Sequence, residues 1–283
     1  MSILITAEEL AERLADEASR PVVLDVRWSL AAPDGRPAYR AGHVPGAVYV
    51  DLETELTAPP SPAAGRHPLP DEAAFTAAMR SWGVREGDAV VVMDDLGNQS
   101  AARAWWLLRH AGVADVRMLD GGLAAWRAAG GTLETGDVEA EPGDATAHFG
   151  AMPVIDADAA AALPEHGVLL DARAAGRYLG EVEPIDPAAG HIPGARSAPS
   201  AGNLDADGRF LPPEALRERV AARGADGERP VAVYCGSGVT ASHGVAALAL
   251  AGVAAALYPG SWSQWSNDPA RPVATGDEPE QRE

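Results

Sequence analysis

Short apolar runs alternate with stretches of helical periodicity along most of the chain. Two such runs are VVLDVR at 22–27 and AVVVMDD at 89–95, and a helical stretch ending in RHAGV at 109–113 follows the second. Alternation of this kind is typical of parallel strands connected by helices that cover both faces of a sheet. The pattern therefore predicts an α/β fold.

These signals occur twice, in the same order, at a separation of about 140 to 148 residues, which indicates an internal repeat. The paired blocks, in chain order, are VVLDVR with VLLDAR, AGHVPGAV with AGHIPGAR, AVVVMDD with VAVYCGS, RHAGV with LALAGV, and LDGGLAAW with YPGSWSQW. So many pairs in register exceed what a bias toward Ala and Gly would produce. We interpret the chain as a tandem duplication of two α/β domains, each a parallel sheet flanked by helices.

The segment GDVEAEPGDATAHFGAMP at 136–153 separates the two copies. It has little periodicity and carries acidic residues, Gly and Pro, a composition typical of a linker. We therefore predict an N-terminal domain over 1–137, a linker over 138–152 and a C-terminal domain over 153–283.

The charge of the 283-residue chain excludes several classes of partner. Its 22 basic and 41 acidic residues give a net charge of −19, which repels nucleic acids and anionic lipid surfaces. The N-terminus lacks the basic and apolar regions of a signal peptide, and no apolar run of about 18 residues occurs. We expect a cytoplasmic protein that binds neither nucleic acid nor membrane.

Cys235 is the single cysteine, which rules out an intrachain disulfide and fits a reducing compartment. It lies between the apolar run VAVY and a helical pattern that begins near Ser242, so it occupies a strand-to-helix turn at the carboxyl end of a parallel strand. Open α/β sheets bind their ligands at such turns. Gly236 and Gly238 let the backbone curl, so that amide groups converge on the sulfur and favour the thiolate.

A lone cysteine is also common as a small buried apolar residue, but the glycines and the turn position favour a reactive thiol. The equivalent turn of the first copy, MDDLGNQSAAR, has Asp94 or Asp95 in place of the thiol. We therefore expect the N-terminal domain to be catalytically silent and the C-terminal domain to carry the activity.

Two reactions suit a thiolate surrounded by amides: phosphoryl transfer through a cysteinyl phosphate, and sulfur transfer through a persulfide. A phosphatase neutralises its dianionic group with an arginine in the loop. The loop CGSGVTA contains no Arg or Lys, and its amides suit the single charge of a persulfide anion. Sulfur transfer is therefore the favoured reaction.

The chain also resembles the two-domain rhodanese family of sulfurtransferases over nearly its whole length. The resemblance rests on GHVPGA and GHIPGA, the strand end LDAR, GRHPLP at 65–70, and CGSGVTA followed by GSWSQW. It implies a silent N-terminal domain, an active C-terminal domain, and a reaction that needs no metal and no organic cofactor. CGSGVTA is similar to the loop of 3-mercaptopyruvate sulfurtransferases, whereas thiosulfate sulfurtransferases tend to have basic residues after the cysteine.

The resemblance also assigns roles to individual residues. It makes Cys235 the nucleophile and sulfur carrier, and Arg177 the group that binds the anionic end of the donor. The amides that would hold the persulfide belong to Gly236, Ser237, Gly238, Val239 and Thr240. An alternative for Arg177 is a surface ion pair with Glu181 or Glu183. The family's second arginine would lie near 186, where this chain has Asp186, so the assignment of the donor is weakened.

A relay of Ser, His and Asp has been discussed for the mercaptopyruvate enzymes. Ser237 would be its first member, and His43, with Asp34, would be the partners. The alternative is that His43 and its counterpart His191 are turn residues that serve the fold in each copy. Because the motif is repeated and the cysteine is not, the structural interpretation is favoured.

We thus expect an enzyme that moves a sulfane sulfur from a small anionic donor to a thiol or cyanide acceptor through a Cys235 persulfide. The loop favours 3-mercaptopyruvate, with thiosulfate left open, and a thioredoxin-like protein is a candidate reductant. An alternative is a relay module that passes sulfur from one protein to another, with incidental activity on small molecules. The sequence leaves the oligomeric state open.

Overall fold

A computed structural model describes residues 2–277 of the chain, which divide into two compact units. The first unit comprises the described residues up to Ala58, together with Leu69–Met152 and Leu204–Phe210. The second comprises Pro59–Pro68, Pro153–Asn203 and the described residues from Leu211 onward. Over residues 2–277, no helix combines the length and the apolar character needed to cross a membrane.

The first unit contains a five-stranded sheet in which all paired strands are parallel. Its strands are β1 (Leu4–Ile5), β2 (Val22–Asp25), β3 (Val48–Tyr49), β4 (Val90–Met93) and β5 (Val116–Leu119), in the order β1-β5-β4-β2-β3. Its helices are α1 (Ala7–Ala15), α2 (Arg36–Ala41), α3 (Leu52–Glu55), α4 (Glu72–Ser81), α5 (Ala101–His110) and α6 (Gly122–Ala128). The first helix begins in a capping box formed by Thr6 and Glu9, which satisfies amides that lack a helical partner.

The second unit repeats this architecture. Its strands are β6 (Val168–Asp171), β7 (Arg196–Ser197), β8 (Val231–Tyr234) and β9 (Ala256–Leu257), parallel and in the order β7-β6-β8-β9. Val154 forms a parallel bridge to Leu257, which is the position that β1 holds in the first unit. Its α-helices are α7 (Ala157–Ala162), α8 (Ala175–Leu179), α9 (Pro213–Ala221), α10 (Val239–Leu250) and α11 (Ser261–Trp265), and short 3₁₀ helices cover Leu163–Glu165 and Ser200–Asn203.

The α/β prediction is confirmed in both copies, and the burial pattern explains it. The strands β4 and β8 are buried at every position, as expected of central strands covered by helices on both faces. Each core mixes strand and helix side chains, with Leu10, Val91 and Trp126 in the first unit and Leu169, Tyr234 and Trp262 in the second.

A buried ion pair closes the carboxyl end of one strand in each unit. Arg27 donates to Asp25 at the end of β2, and Arg173 donates to Asp171 at the end of β6. Each arginine also donates, at 2.6 Å, to the carbonyl of the glycine that precedes the histidine of the GH-x-PGA block. The repeated sequence blocks therefore serve a repeated connection between the strand end and the following turn.

The predicted contiguous domain ranges differ from the contacts in the described structure. Residues 138–152 cluster with the first unit, in agreement with a change of unit at Pro153. The segment Pro59–Pro68 belongs to the second unit and Leu204–Phe210 to the first. Nothing in the periodicity of the chain indicates these two assignments, and the ranges 1–137 and 153–283 stay predictions of where the domains lie.

Candidate active site

Cys235 is the first residue after β8, and hydrogen bonds from the start of α11 fix its backbone. The Cys235 amide donates to Ser261 Oγ at 3.1 Å, and the Cys235 carbonyl accepts from the Trp262 amide at 2.9 Å. Ser261 has a positive φ of 54°, uncommon for a residue with a side chain. In this conformation its hydroxyl also donates to the Tyr258 carbonyl, so Ser261 links the cysteine turn to the end of β9.

The turn after Cys235 directs an amide at the sulfur. The Gly238 N–H donates to Cys235 Sγ over 3.1 Å, and Gly238 is the residue that precedes α10. Its φ is 82°, and a β-carbon at this position would lie 2.5 Å from the Pro259 carbonyl oxygen. Only glycine fits, because any side chain would collide with backbone. The predicted strand-to-helix turn is present, with a thiol that is 3% exposed facing the N-terminus of a twelve-residue helix.

The equivalent turn of the first unit holds a carboxylate. Asp94 is completely buried and follows β4 as Cys235 follows β8. Its side chain accepts hydrogen bonds from the amides of Leu96, Asn98, Ser100 and Ala101 and from the Ser100 hydroxyl, all between 2.8 and 3.0 Å. Burial raises the pKa of Asp94, although these donors oppose the shift. The turn of this fold therefore gathers backbone N–H groups around an acceptor, as the sequence comparison predicts.

A histidine from the segment 59–68 contacts the cysteine loop. His67 Nδ1 and Ser237 Oγ are hydrogen-bonded at 2.7 Å, and both side chains are buried. The segment is attached to α11, since the Arg66 amide donates to Ser263 Oγ and Gln264 Nε2 donates to the Ala63 carbonyl. The sequence identifies Ser237 but not His67, which lies 170 residues earlier in the chain.

Ser237 is thus paired with His67, whereas His43, which the sequence offers as a relay partner, is held by contacts within its own unit. His43 stacks on Tyr39 with ring centroids 4.0 Å apart, and its Nδ1 is 3.0 Å from the Tyr39 carbonyl oxygen. His191 repeats this arrangement with Tyr178, at 3.8 Å and 2.8 Å. The repeated geometry supports the structural interpretation of both histidines, and Asp34 accepts from the Arg36 amide at the start of α2.

Two arginines lie against the loop beside the cysteine. A β-carbon placed on Gly236 would be 3.0 Å from Arg66 Nη2 and 3.2 Å from Arg177 Nη1. Arg177 comes from α8, as the sequence suggests, whereas Arg66 comes from the segment 59–68. The loop itself contains no cation, yet tertiary structure brings two guanidinium groups to it.

Both arginines are paired with acidic side chains. Arg66 Nη1 donates to Asp186 Oδ1, and Arg177 Nη2 donates to Asp186 Oδ2 at 3.0 Å. Arg177 also pairs with Glu183 at 2.7 Å, one of the two partners of the alternative interpretation, but the Glu183 side chain is 4% exposed, so this is not a surface pair. Burial raises the pKa of Asp186, with Arg66 opposing the shift. Burial acts in the same direction on Glu183, but the Arg177 hydrogen bonds and backbone amides outweigh it and lower the pKa of Glu183.

The sequence carries one signal that points to Arg66 and His67. Both lie in GRHPLP at 65–70, whose counterpart in the second copy is GRFLPP at 208–213, with Arg209 and Phe210 in their places. The histidine of this block therefore occurs in one copy only, which is a stronger functional hint than a histidine that occurs in both copies.

A comparison with protein families identifies the same domain in both halves of the chain. A model described as a rhodanese-like domain matches residues 6–129 and, separately, residues 156–268. The chain belongs to the rhodanese family.

Two family relatives resemble it along nearly their entire length. The chain is 50% identical over 281 residues to the putative thiosulfate sulfurtransferase SseB of Mycobacterium tuberculosis, with 97% of each covered. It is 51% identical over 282 residues to the probable 3-mercaptopyruvate sulfurtransferase of Pseudomonas aeruginosa, with 97% of this chain and 98% of the relative covered.

A solved rhodanese structure shows the same architecture. SseA of Escherichia coli, whose crystal structure was described as showing the rhodanese fold of 3-mercaptopyruvate sulfotransferases, matches with a TM-score of 0.78 and 34% identity. The match covers 93% of this chain and 99% of SseA. The tandem rhodanese fold predicted from the sequence is thus confirmed, and so is the prediction that this rhodanese is a sulfurtransferase acting on small sulfur donors and acceptors.

Proposed function

We propose that this rhodanese takes the thiol sulfur of 3-mercaptopyruvate, carries it as the outer sulfur of a persulfide on Cys235, and passes it to a thiol or to cyanide. The observation that carries the proposal is the Gly238 N–H directed at Cys235 Sγ from the start of α10. Amides and a helix N-terminus stabilise an anionic sulfur. The equivalent turn of the first unit surrounds an acceptor in this way, since Asp94 accepts hydrogen bonds from four backbone amides.

The first half-reaction follows from this arrangement. The Cys235 thiolate attacks the thiol sulfur of 3-mercaptopyruvate, the carbon–sulfur bond breaks, and its electron pair stays on carbon as the enolate of pyruvate. The enolate takes up a proton and leaves as pyruvate. We assign the delivery of this proton to Ser237 and His67. Their side chains lie 2.7 Å apart, and an unprotonated His67 Nδ1 accepts a hydrogen bond from the Ser237 hydroxyl.

The arginines supply the binding site for the donor's carboxylate. Arg177 and Arg66 lie against Gly236, one residue after the nucleophile, and a guanidinium group binds a carboxylate with two parallel hydrogen bonds. The amides of Gly236, Ser237, Gly238, Val239 and Thr240 would hold the persulfide. Thiosulfate is the alternative donor, because its anionic oxygens suit the same guanidinium groups.

The second half-reaction removes the outer sulfur. Cyanide attacks it and leaves as thiocyanate, while an acceptor thiol takes it as a new persulfide, and either route regenerates the Cys235 thiolate. A dithiol reductant of the thioredoxin type would release the sulfur as hydrogen sulfide while its own two thiols are oxidised to a disulfide. The cytoplasmic location expected from the sequence would supply such reductants and stays a prediction.

Mass spectrometry of the intact protein tests the persulfide. After treatment with 3-mercaptopyruvate and removal of excess donor, we expect an increase of about 32 Da, one sulfur atom, located on Cys235. Cyanide should remove it, and Cys235→Ser should not acquire it. Absence of the adduct with both small donors, together with rapid uptake from a protein persulfide, would favour the relay between proteins instead.

A further inference from the structure

Asp186 contacts the same two guanidinium groups that the proposed donor site uses. Its two carboxylate oxygens accept from different arginines, Oδ1 from Arg66 and Oδ2 from Arg177. The Asp186 side chain is 3% exposed, whereas those of Arg66 and Arg177 are 26% and 16% exposed. The carboxylate is therefore the buried member of the cluster, and the arginines are the members that an incoming anion reaches.

The charges of this cluster balance. Arg66 and Arg177 bring two positive charges, and Asp186 and Glu183 bring two negative ones. Arg173 approaches Glu183 at 3.5 Å but is itself paired with Asp171. The guanidinium groups beside Gly236 thus form a neutral site rather than a strongly cationic one.

We propose that Asp186 is a specificity-determining residue that selects a monoanionic donor over a dianionic one. A donor anion bound to Arg66 and Arg177 lies close to the Asp186 carboxylate and is repelled by it. Coulomb repulsion is proportional to the donor's charge, so the free-energy penalty is twice as large for a dianion. At neutral pH 3-mercaptopyruvate carries one carboxylate charge and thiosulfate carries two charges. Asp186 therefore disfavours thiosulfate, and this inference rests on the proposed sulfur transfer through Cys235.

The substitution Asp186→Asn tests the inference, because it keeps the shape of the side chain and removes its charge. We expect KM for 3-mercaptopyruvate to fall about threefold and KM for thiosulfate about tenfold, the square of that factor, because the repulsion scales with charge. The ratio of kcat/KM for thiosulfate to kcat/KM for 3-mercaptopyruvate should therefore rise about threefold. A purely structural role would lower both values together and leave their ratio unchanged.

Two further variants control this experiment. Asp186→Glu keeps the charge and should therefore keep the parental ratio of kcat/KM for thiosulfate to kcat/KM for 3-mercaptopyruvate. Asp158→Asn removes one negative charge from a side chain of the same unit that is 86% exposed and paired with Arg271. Because solvent screens that charge, the donor ratio should not change, and a shift as large as that of Asp186→Asn would overturn the inference.

Failure of this inference and failure of the proposed function give different results. An unchanged donor ratio in an Asp186→Asn protein whose Cys235 still takes up sulfur would overturn the role of Asp186 alone. If the parent acquires no adduct from either donor, the proposed function fails. Binding of two unreactive anions, the dianion sulfate and the monoanion pyruvate, then tests whether Asp186 disfavours dianions. The same binding measurement serves if Asp186→Asn does not fold. We then expect the parent to bind sulfate no more tightly than pyruvate. A Kd for sulfate that is lower than the Kd for pyruvate by about tenfold or more would overturn the inference.

Discussion

The turns after β4 and β8 are two versions of one structure with different acceptors at their centre. In the first unit the turn surrounds the Asp94 carboxylate with four amides and a hydroxyl. In the second, the corresponding residue is Cys235, whose sulfur accepts from Gly238. The Asp94 carboxylate satisfies the amides of its turn, whereas the sulfur of Cys235 accepts from one amide and is a nucleophile when deprotonated. Under the proposed function, the same backbone serves stability in the first unit and chemistry in the second.

Replacing the nucleophile should produce the largest difference between the two turns. We expect Cys235→Ser to lower kcat/KM by about 10⁴-fold or more, because a hydroxyl does not form the persulfide. Asp94→Asn, the change at the equivalent position, should leave kcat/KM within about twofold, because no step of the proposed mechanism uses Asp94. Steady-state assays of pyruvate formation measure both, and a Cys235→Ser enzyme with substantial activity would contradict the proposed mechanism.

Removing the acceptor of the first turn should reverse this contrast. Asp94→Ala leaves four amides, three of them in buried hydrogen bonds, and the Ser100 hydroxyl without their acceptor. We therefore expect a loss of about 3–5 kcal/mol in the free energy of unfolding. Cys235→Ala removes a single weak acceptor and should cost about 1 kcal/mol. Urea unfolding followed by circular dichroism measures both. Equal losses would show that the two turns depend on their central residue to the same degree.

Each turn contains a buried serine, at different positions, and the two serines have different expected roles. Ser237→Ala removes the hydrogen bond to His67. It should lower kcat with 3-mercaptopyruvate about 100-fold, the lower end of the usual contribution of a proton-transfer group. Ser100→Ala removes the bonds to Asp94 and to the Val26 carbonyl, and should lower stability by about 1–3 kcal/mol with little effect on kcat. A mainly KM effect of Ser237→Ala would assign Ser237 to binding rather than to the proton.

The smallest expected effect is a pH dependence of stability that arises in the first unit. Burial raises the pKa of Asp25 from 3.8 to about 6, with Arg27 opposing and Asp94 adding to the shift, and burial also raises the pKa of Asp94. Between about pH 4 and pH 6 the folded state then binds more protons than the unfolded state, so these groups lower the free energy of unfolding as the pH rises.

Asp94→Asn tests this dependence by removing one titrating group and its charge near Asp25. We expect the loss of stability between about pH 4 and pH 7 to shrink by on the order of 1 kcal/mol relative to the parent. Urea midpoints at the two pH values give the comparison. The same loss in parent and variant would show that neither carboxyl dominates the pH response.

Much of the fold and the central site residue follow from local signals. Two buried strands end in LDVR and LDAR, and Cys235 lies between an apolar strand pattern and a helical pattern, with glycines after it. These local patterns predict both the strand ends and the position of the cysteine turn. Periodicity does not mark His67 and Arg66, whose one signal is that the histidine of GRHPLP has a phenylalanine, Phe210, as its counterpart in the second copy. His43 attracts attention because it stands in a repeated block, and its repetition reflects the shared stacking on Tyr39 rather than chemistry.

The sequence alone determines that this rhodanese contains two parallel sheets and that one of two equivalent turns bears a thiol. These features are encoded by periodicity, turn residues and repetition, all of which act over a few neighbouring residues. Only the tertiary structure decides what surrounds the thiol. His67 meets Ser237 across 170 residues and Arg66 meets Asp186 across 120, through a segment that carries no periodic pattern. Its position depends on hydrogen bonds to α11, which join residues that are distant in the chain.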